Sequence, residues 1–193
     1  MTFEQQISDS ATEAKRIAAN ITDAQLDAPN TPCPGFDTRG LINHWVAYAG
    51  TGMELRAKRQ PYPDDLAERD FTADPQWASR FGEQLDAAVT AWNDPAAWEG
   101  EIDMSGTAMP ATEVAKMLFM ELLLHGWDVA TATGQAFTAD EKSGALLLDI
   151  VTEQAEMYRQ YDGFGEPTPV PDNASDFERA VAMSGRDLGW RAS

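Results

Sequence analysis

The stretch MLFMELLLHGWD, residues 117–128, decides how the rest of the chain can fold. Apart from Glu121, His125 and Asp128, its side chains are apolar, and a helix that is apolar on nearly every side is normally buried. At ~100° and ~1.5 Å per residue, Glu121 and His125 point the same way, one turn apart. A buried carboxylate is costly unless its charge is compensated. We therefore expect a partner for Glu121 inside the fold.

The second histidine of the chain supplies a partner. His44 also lies in an apolar helical stretch, and the chain contains no third histidine. Imidazole and carboxylate ligands suit zinc and other late first-row divalent ions. We predict that His44, Glu121 and His125 meet around a divalent metal, with zinc as the default and nickel or another divalent ion as alternatives. Three protein ligands leave one position open, which is the catalytic pattern for zinc.

The same spacing allows an interpretation without a metal. Helices produce a Glu-x-x-x-His pattern by chance. In this interpretation, His44 and His125 are core histidines that bond to the backbone or to Tyr48, and Glu121 pairs with an arginine. The chain is then a helical bundle with no metal centre. Spacing alone leaves both interpretations open.

Three further residues are candidates for the site. Asp128 follows Glu121 by two turns on the same helix face. It could orient a metal ligand, or it could pair with Arg39 near the start of the second helix, which is the interpretation we favour. Arg39 is a candidate for the surroundings of the site for the same reason. Cys33 could be a fourth ligand or a nucleophile, but between two prolines a small packing residue is the better interpretation.

Composition limits the class of protein. A chain of 193 residues, 43% of them hydrophobic, suits one domain with a substantial core, so we expect residues 1–193 to form a single domain. The net charge of -18 opposes binding to nucleic acid and to anionic membrane surfaces. Cys33 is the only cysteine, which suits a reducing compartment. Because no apolar run approaches about 18 residues and no signal peptide is evident, we expect a cytoplasmic protein.

Hydrophobic periodicity predicts an all-α fold. We place helices at about residues 2–21, 38–59, 75–93, 112–134, 140–161 and 175–183. Asp37 is placed to cap the second helix, and alternation about the Ser105-Gly106 turn predicts a short β-hairpin before the fourth. The first four helices should form an antiparallel bundle with its core in residues 1–135. Residues 136–193 then supply a helix, an extended segment and a last short helix that pack on it.

Three segments resemble one known family. Residues 31–44, TPCPGFDTRGLINH, are similar to a TPCPGW-type segment that ends in histidine, and residues 121–134, ELLLHGWDVATATG, are similar to an E-x-x-x-HGWD segment. Residues 177–187, FERAVAMSGRD, resemble a C-terminal GRDP ending, with Leu188 where proline is usual. By these segments the chain resembles the DinB/YfiT-like superfamily, and within it the actinobacterial branch related to mycothiol-dependent maleylpyruvate isomerase.

The resemblance implies both a fold and a chemistry. It implies a four-helix bundle that binds a divalent metal at the matching positions, His44, Glu121 and His125. It also implies a low-molecular-weight thiol such as mycothiol as cosubstrate, because a metal with an open position lowers the pKa of a thiol that binds there. The isomerase carries an additional C-terminal domain beyond the bundle. We therefore do not expect maleylpyruvate isomerisation itself from this chain.

Two functions of different classes follow from these expectations. The first is a metal-dependent, thiol-using transferase or isomerase-like enzyme that acts on a small electrophile. The second is a non-catalytic stress protein that binds a metal or ligand on the same bundle. No general base can be assigned, since both histidines serve as ligands, so metal-bound hydroxide or a cleft carboxylate would take that role. An exposed apolar bundle face could support a homodimer.

Overall fold

The computed structural model describes residues 2–192 as a helical bundle with one small sheet. Its α-helices and strands, in chain order, are α1 (Phe3–Ala19), α2 (Asp23–Leu26), α3 (Thr38–Trp45), α4 (Met53–Ala57), α5 (Trp77–Trp92), β1 (Glu101–Asp103), β2 (Ala108–Pro110), α6 (Ala111–Ala132), α7 (Glu141–Gln160) and α8 (Asp176–Met183). The predicted all-α bundle with a short hairpin is confirmed.

Helix α6 lies at the centre of the bundle. Most of its side chains are buried, as the apolar sequence predicts, and it contacts both α1 and α3. Helix α5 completes the packing against α1 and α4. No helix within residues 2–192 has the length and hydropathy that a membrane span requires.

The second predicted helix is helical throughout but not uniformly α-helical. Asp37 caps α3 as predicted, accepting a hydrogen bond from Gly40 N at 2.7 Å. Between α3 and α4, residues Val46–Gly52 form a π-helix, which sequence periodicity did not predict. The apolar character of the segment is the same in a π-helix as in an α-helix. Only the number of residues per turn differs, so the sequence pattern did not reveal it. The short helix α2 was also missed; Thr22 and Gln25 form the capping box that starts it.

The hairpin precedes α6 where the alternating pattern placed it. Strands β1 and β2 pair antiparallel, with Ile102 opposite Met109. Ser105 and Gly106 in the turn both have positive φ, at 61° and 98°. Ile102 is buried, and this attaches the hairpin to the core.

The C-terminal region packs on one side of the bundle. Helix α7 contacts α6 and α1, and α8 packs on α7. The extended segment before α8 forms backbone hydrogen bonds to the C-terminal end of α8 and the residue that follows it. Thr168 N donates to Ala182 O at 3.0 Å, and Gly165 N donates to Ser184 O at 3.2 Å. Gly185 has a φ of +89°, and a Cβ there would lie 2.5 Å from the Gly165 Cα. Only glycine allows these two backbones to approach so closely.

Candidate functional site

Three side chains from two helices converge on one point. His44 comes from α3, and Glu121 and His125 come from α6. His44 Nε2 lies 2.8 Å from Glu121 Oε1, and His125 Nε2 lies 3.6 Å from the same oxygen. With bonds of ~2.0–2.1 Å, the ligand atoms of a tetrahedral zinc site are ~3.3 Å apart. The two distances bracket that separation, so the three residues that the sequence singled out could hold such an ion.

The Glu121 oxygen at this point has no hydrogen bond. Oε1 is buried, and no donor among the described residues bonds to it with acceptable geometry, although His44 Nε2 is 2.8 Å away. Buried polar atoms are nearly always satisfied. Two imidazole nitrogens and one carboxylate oxygen therefore face a common point, in contacts that lack hydrogen-bond geometry. A cation at that point would satisfy the orphaned oxygen.

The other ring nitrogen of His125 is held by Asp128. Nδ1 lies 3.0 Å from Asp128 Oδ2, and Asp128 is fully buried. Because an ionised carboxylate only accepts hydrogen bonds, Nδ1 carries the proton. In the neutral ring, this leaves the Nε2 lone pair directed at Glu121 and His44. Such a carboxylate-histidine pair commonly orients metal-ligating histidines.

The predicted pair between Asp128 and Arg39 is wrong. Arg186 binds Asp128 in a bidentate manner, through Nε to Oδ1 at 2.8 Å and Nη2 to Oδ2 at 2.7 Å. Arg39 instead donates to Asp27 Oδ1 and to Thr72 Oγ1, both at 2.8 Å.

Arg186 is the functional residue that the sequence analysis missed. It lies 58 residues from Asp128 along the chain, so no helical spacing connects the two. The signal that could have identified it is the GRD ending, residues 185–187.

The electrostatics of the site favour charged side chains despite burial. Burial raises the pKa of Glu121, but the two nearby histidines and Arg186 outweigh this and lower it. Burial likewise raises the pKa of Asp128, and Arg186 and His125 bring it below its usual value. Burial lowers the pKa of His125, but Glu121 and the hydrogen bond to Asp128 raise it to about 10. The metal-free site therefore holds a protonated His125 between two carboxylates.

Cys33 lies beside the site. It packs against the core but is only half-buried, whereas a buried packing residue was expected. Its sulfur also falls within 4.8 Å of potential ligand atoms on His125 and Asp128, which makes a second group that could bind a metal. In that group, however, the Asp128 carboxylate is already paired with Arg186. The group of His44, Glu121 and His125 is the one with an unsatisfied ligand atom.

The partners that the metal-free interpretation named differ from those in the structure. Glu121 forms no ion pair with an arginine within residues 2–192; its ion-pair contacts are the two histidines. Tyr48 packs its ring against His44, with centroids 4.7 Å apart, and does not hydrogen-bond to it. The carboxylate thus lacks the compensating arginine on which that interpretation depended.

The three residues open onto a cavity of about 510 Å³. One wall comes from the loop after Cys33, where Phe36 packs its ring 5.2 Å from that of His44. The opposite wall is built by Tyr158 and by residues 162–165 and 184–186. The C-terminal region therefore contributes directly to the site.

Comparisons with known proteins agree with the resemblance seen in the motifs. The family described as the mycothiol maleylpyruvate isomerase N-terminal domain matches residues 7–130. Two proteins of Mycobacterium tuberculosis, uncharacterized protein Rv0738 of strain H37Rv and uncharacterized protein MT0763 of strain CDC 1551, are each 26% identical over 182 residues, which is 89% of this chain and 91% of theirs. No solved structure gives a significant match. The family match covers more than half of the chain and includes all three converging residues. The chain therefore belongs to the mycothiol maleylpyruvate isomerase N-terminal domain family.

Proposed function

We propose that this protein is a metal-dependent enzyme that uses a low-molecular-weight thiol, mycothiol in the first instance, for S-transfer or isomerisation of a small electrophile. His44 Nε2, Glu121 Oε1 and His125 Nε2 hold the metal, and zinc is the default ion. The observation that carries the proposal is the buried Glu121 oxygen that faces two imidazole nitrogens without a hydrogen bond. Membership of a family named for a mycothiol-dependent isomerase supports the choice of thiol.

The protein contributes the orientation of the metal ligands. Zinc, when bound, lowers the pKa of a thiol or water at its open position. Asp128 holds the Nδ1 proton of His125 and keeps the ring in one orientation. Phe36 packs its ring beside that of His44 at the cavity wall. The site is thereby organised before a substrate enters.

The overall transfer can be written so that atoms and electrons balance. The thiol loses its proton, and a sulfur electron pair forms a carbon–sulfur bond to the electrophile. In a transfer, the leaving group departs with the electron pair of the bond that breaks. In an isomerisation, the carbon–sulfur bond breaks again and the thiol regains a proton. Asp162 is the other carboxylate that lines the cavity, and we assign it as the candidate acceptor of the thiol proton.

A second candidate function is non-catalytic binding of a metal or metabolite on the same bundle. The observation that favours it is the small supply of proton-transfer groups. Both histidines of the chain face Glu121, so neither is free to act as a general base. A binding protein would require the metal centre but no such group.

Turnover distinguishes the two candidates. The zinc-loaded protein is incubated with mycothiol and a panel of electrophiles, and thioether formation is followed by mass spectrometry. The enzyme proposal predicts product formation that His125→Ala abolishes while circular dichroism shows an intact helical fold. Tight binding of a metabolite with no product across the panel would instead support the binding protein.

The surroundings of the site also bear on its partners. We infer that residues 1–193 act as one unit, because the bundle and the C-terminal region both line the cavity. A net charge of -18 opposes nucleic acid and anionic membrane surfaces as partners. Small molecules in the cytoplasm are the partners that fit this proposal.

A further inference from the structure

A second, smaller cavity adjoins the candidate metal site. Its volume is about 260 Å³, and it shares His44, Glu121 and Tyr158 with the main cavity. The point on which the three candidate ligands converge therefore lies where the two cavities meet. A molecule in either cavity would have one end at the metal.

The walls of the smaller cavity are apolar and aromatic. We call the group of Tyr48, Tyr62, Met104, Met117, Leu118 and Tyr158 the apolar lobe. Among the described residues that line this cavity, Glu121 is the charged one, and it is a candidate metal ligand. Methionine thioethers adapt to different shapes and make favourable contacts with aromatic rings. The lobe thus offers rings and thioethers next to a metal position.

The lobe is held in shape by a buried arginine. Arg56 is 4% exposed and stacks over the Tyr62 ring, with its guanidinium carbon 3.7 Å from the ring centroid. It also donates to Asp103 O at 2.8 Å, which ties the hairpin beside Met104 to the same wall. Arg56 does not itself line the lobe, because the Tyr62 ring covers it and its Nη1 donates to a backbone carbonyl, although its buried Nε bonds to no described residue. The carboxylate that lines the lobe, that of Glu121, opposes an anion there. The lobe therefore favours uncharged groups.

The main cavity has a different character. It is larger and mixed in character: Asp162, Ser184 and three glycines line it, and so do Phe36, Met120, Leu124 and Phe164. Arg186, which also lines it, is neutralised by Asp128. Of the two cavities, the main one has more room and the larger share of polar groups for a polar, hydroxyl-rich molecule. The two cavities thus differ in polarity on either side of the metal position, and the smaller one is the more apolar.

We propose that the apolar lobe binds an uncharged aromatic group of the electrophile, while the thiol occupies the main cavity. This inference rests on the proposed function, since it assigns the second substrate of the same site. An apolar cavity of about 150 Å³ is large enough for benzene. A lobe of about 260 Å³ therefore accommodates a substituted ring or two fused rings.

The test uses the methyl groups of the lobe as reporters. Metal-free protein with ¹³C-labelled methionine methyls is titrated with 2-naphthylmethanol and, separately, with 2-naphthoate, so that no carboxylate–zinc bond contributes to binding, and the methyl resonances are followed by NMR. Single variants Met104→Gln, Met117→Gln and Met157→Gln assign the three signals. Met157 is 48% exposed and does not line the lobe, so it serves as the control. We expect ring-current shifts at Met104 and Met117, none at Met157, and at least tenfold weaker binding of the naphthoate.

The methionine variants also test, through binding affinity, whether the apolar lobe binds the aromatic ring. Replacing Met104 and Met117 together by glutamine keeps side-chain length but adds polar amides. We expect the dissociation constant for 2-naphthylmethanol to rise about tenfold, and that of Met157→Gln to stay unchanged. Shifts spread over all methionines, or tighter binding of the naphthoate, would contradict the proposal that the apolar lobe binds an uncharged aromatic group. Zinc uptake is measured on the same samples: normal uptake with no naphthyl shifts rejects the lobe alone, whereas failed uptake rejects the metal centre.

Discussion

At the level of single residues, the Glu121 carboxylate controls the chemistry of the site. It lies on an otherwise apolar helix, and the structure surrounds it with two imidazoles and Tyr158. Its Oε1 atom is buried without a hydrogen bond. A side chain of this kind costs free energy unless a positive charge is nearby. In the metal-free protein the protonated His125 supplies that charge, and in our proposal the metal takes its place.

The Asp128–His125 contact should be needed for full metal affinity. Asp128→Asn keeps the shape of the side chain but weakens the hold on the Nδ1 proton, so we expect zinc affinity to fall by about 10- to 100-fold. Competition with a chromophoric chelator measures this. Asp27→Asn is the matched control, because Asp27 is exposed and pairs with Arg39 away from the site. Equal zinc affinity in the two variants would show that Asp128 does not orient the ligand.

Zinc binding should depend on pH through His125. The carboxylates raise the pKa of its ring to about 10, so the metal-free ring is protonated at pH 7 and must lose that proton to bind zinc. We expect zinc affinity to rise about tenfold per pH unit between pH 7 and 9, with about one proton released per ion. In the metal-free protein, the stabilisation from His125 is complete below about pH 6.5 and is lost as pH rises through about 10. Titrations in buffers of different ionisation enthalpy count the protons, and affinity independent of pH would contradict the assignment.

How much of the site could be predicted depends on whether the partners are close in the sequence. The rarity of histidine and the i, i+4 spacing correctly predicted that His44, Glu121 and His125 lie close together. The partner of Asp128 was misassigned because helical spacing carries no information on a contact to Arg186, across the whole C-terminal region. Whether Glu121 Oε1 has a hydrogen-bond partner depends on atomic positions to within tenths of an ångström, which no sequence pattern specifies.

At the level of elements, the π-helix Val46–Gly52 is the feature that shapes the wall beside the site. It begins two residues after His44 and carries Tyr48 toward the apolar lobe. Two of its glycines make close contacts: a Cβ at Gly50 would lie 2.9 Å from Phe81 Cδ2, and one at Gly52 would lie 2.9 Å from the Tyr62 hydroxyl. The segment therefore packs against neighbours that leave no room for larger side chains.

Alanine at Gly50 should destabilise the fold, although alanine normally favours helices. The added methyl would clash with Phe81 and Gln84, and overpacking of this kind costs about 1–3 kcal/mol. Gly82 in α5 is the matched control, because its Cβ would meet only Lys15 at 3.4 Å. There we expect a gain of about 0.5–1 kcal/mol from helix propensity. Urea unfolding of both variants measures the difference, and a stabilising Gly50→Ala would show that the π-helix has room to spare.

Element boundaries were predictable where a cap residue marks them. Asp37, Asp140 and Ser175 each accept a hydrogen bond from the first turn of the helix that follows, as their side chains predict. The π-helix was not predictable, because its residues are as apolar as those of the α-helices on either side. Two of its glycines pack closely against Phe81 and Tyr62, which lie elsewhere in the sequence.

At the level of the whole molecule, the C-terminal region closes the site that the bundle supplies. The family match ends at residue 130, whereas Tyr158 and residues 162–165 and 184–186 line the cavity. The bidentate pair of Arg186 with Asp128 joins this region to α6 next to the metal position. One buried ion pair thus connects the closure of the cavity with the orientation of His125, which we propose as a metal ligand.

Breaking that pair should cost much more than removing an exposed arginine. Arg186 is 6% exposed, and Arg186→Met leaves Asp128 buried without its partner, so we expect a loss of about 3–5 kcal/mol in unfolding free energy. Arg191→Met near the C-terminus removes an exposed guanidinium and should change stability by less than about 0.5 kcal/mol. Chemical denaturation of the metal-free proteins provides both values. Similar stabilities for the two variants would mean that the pair does not hold the C-terminal region in place.

The central claim is that His44, Glu121 and His125 hold the metal. X-ray absorption spectroscopy of tag-free, zinc-loaded protein, with zinc content measured on the same sample, tests it most directly. We expect about one zinc per chain, with nitrogen and oxygen ligands at ~2.0–2.1 Å, two imidazoles and no sulfur. The absence of zinc uptake would contradict the claim, and so would a sulfur ligand at ~2.3 Å, which would assign the ion to Cys33, His125 and Asp128 instead.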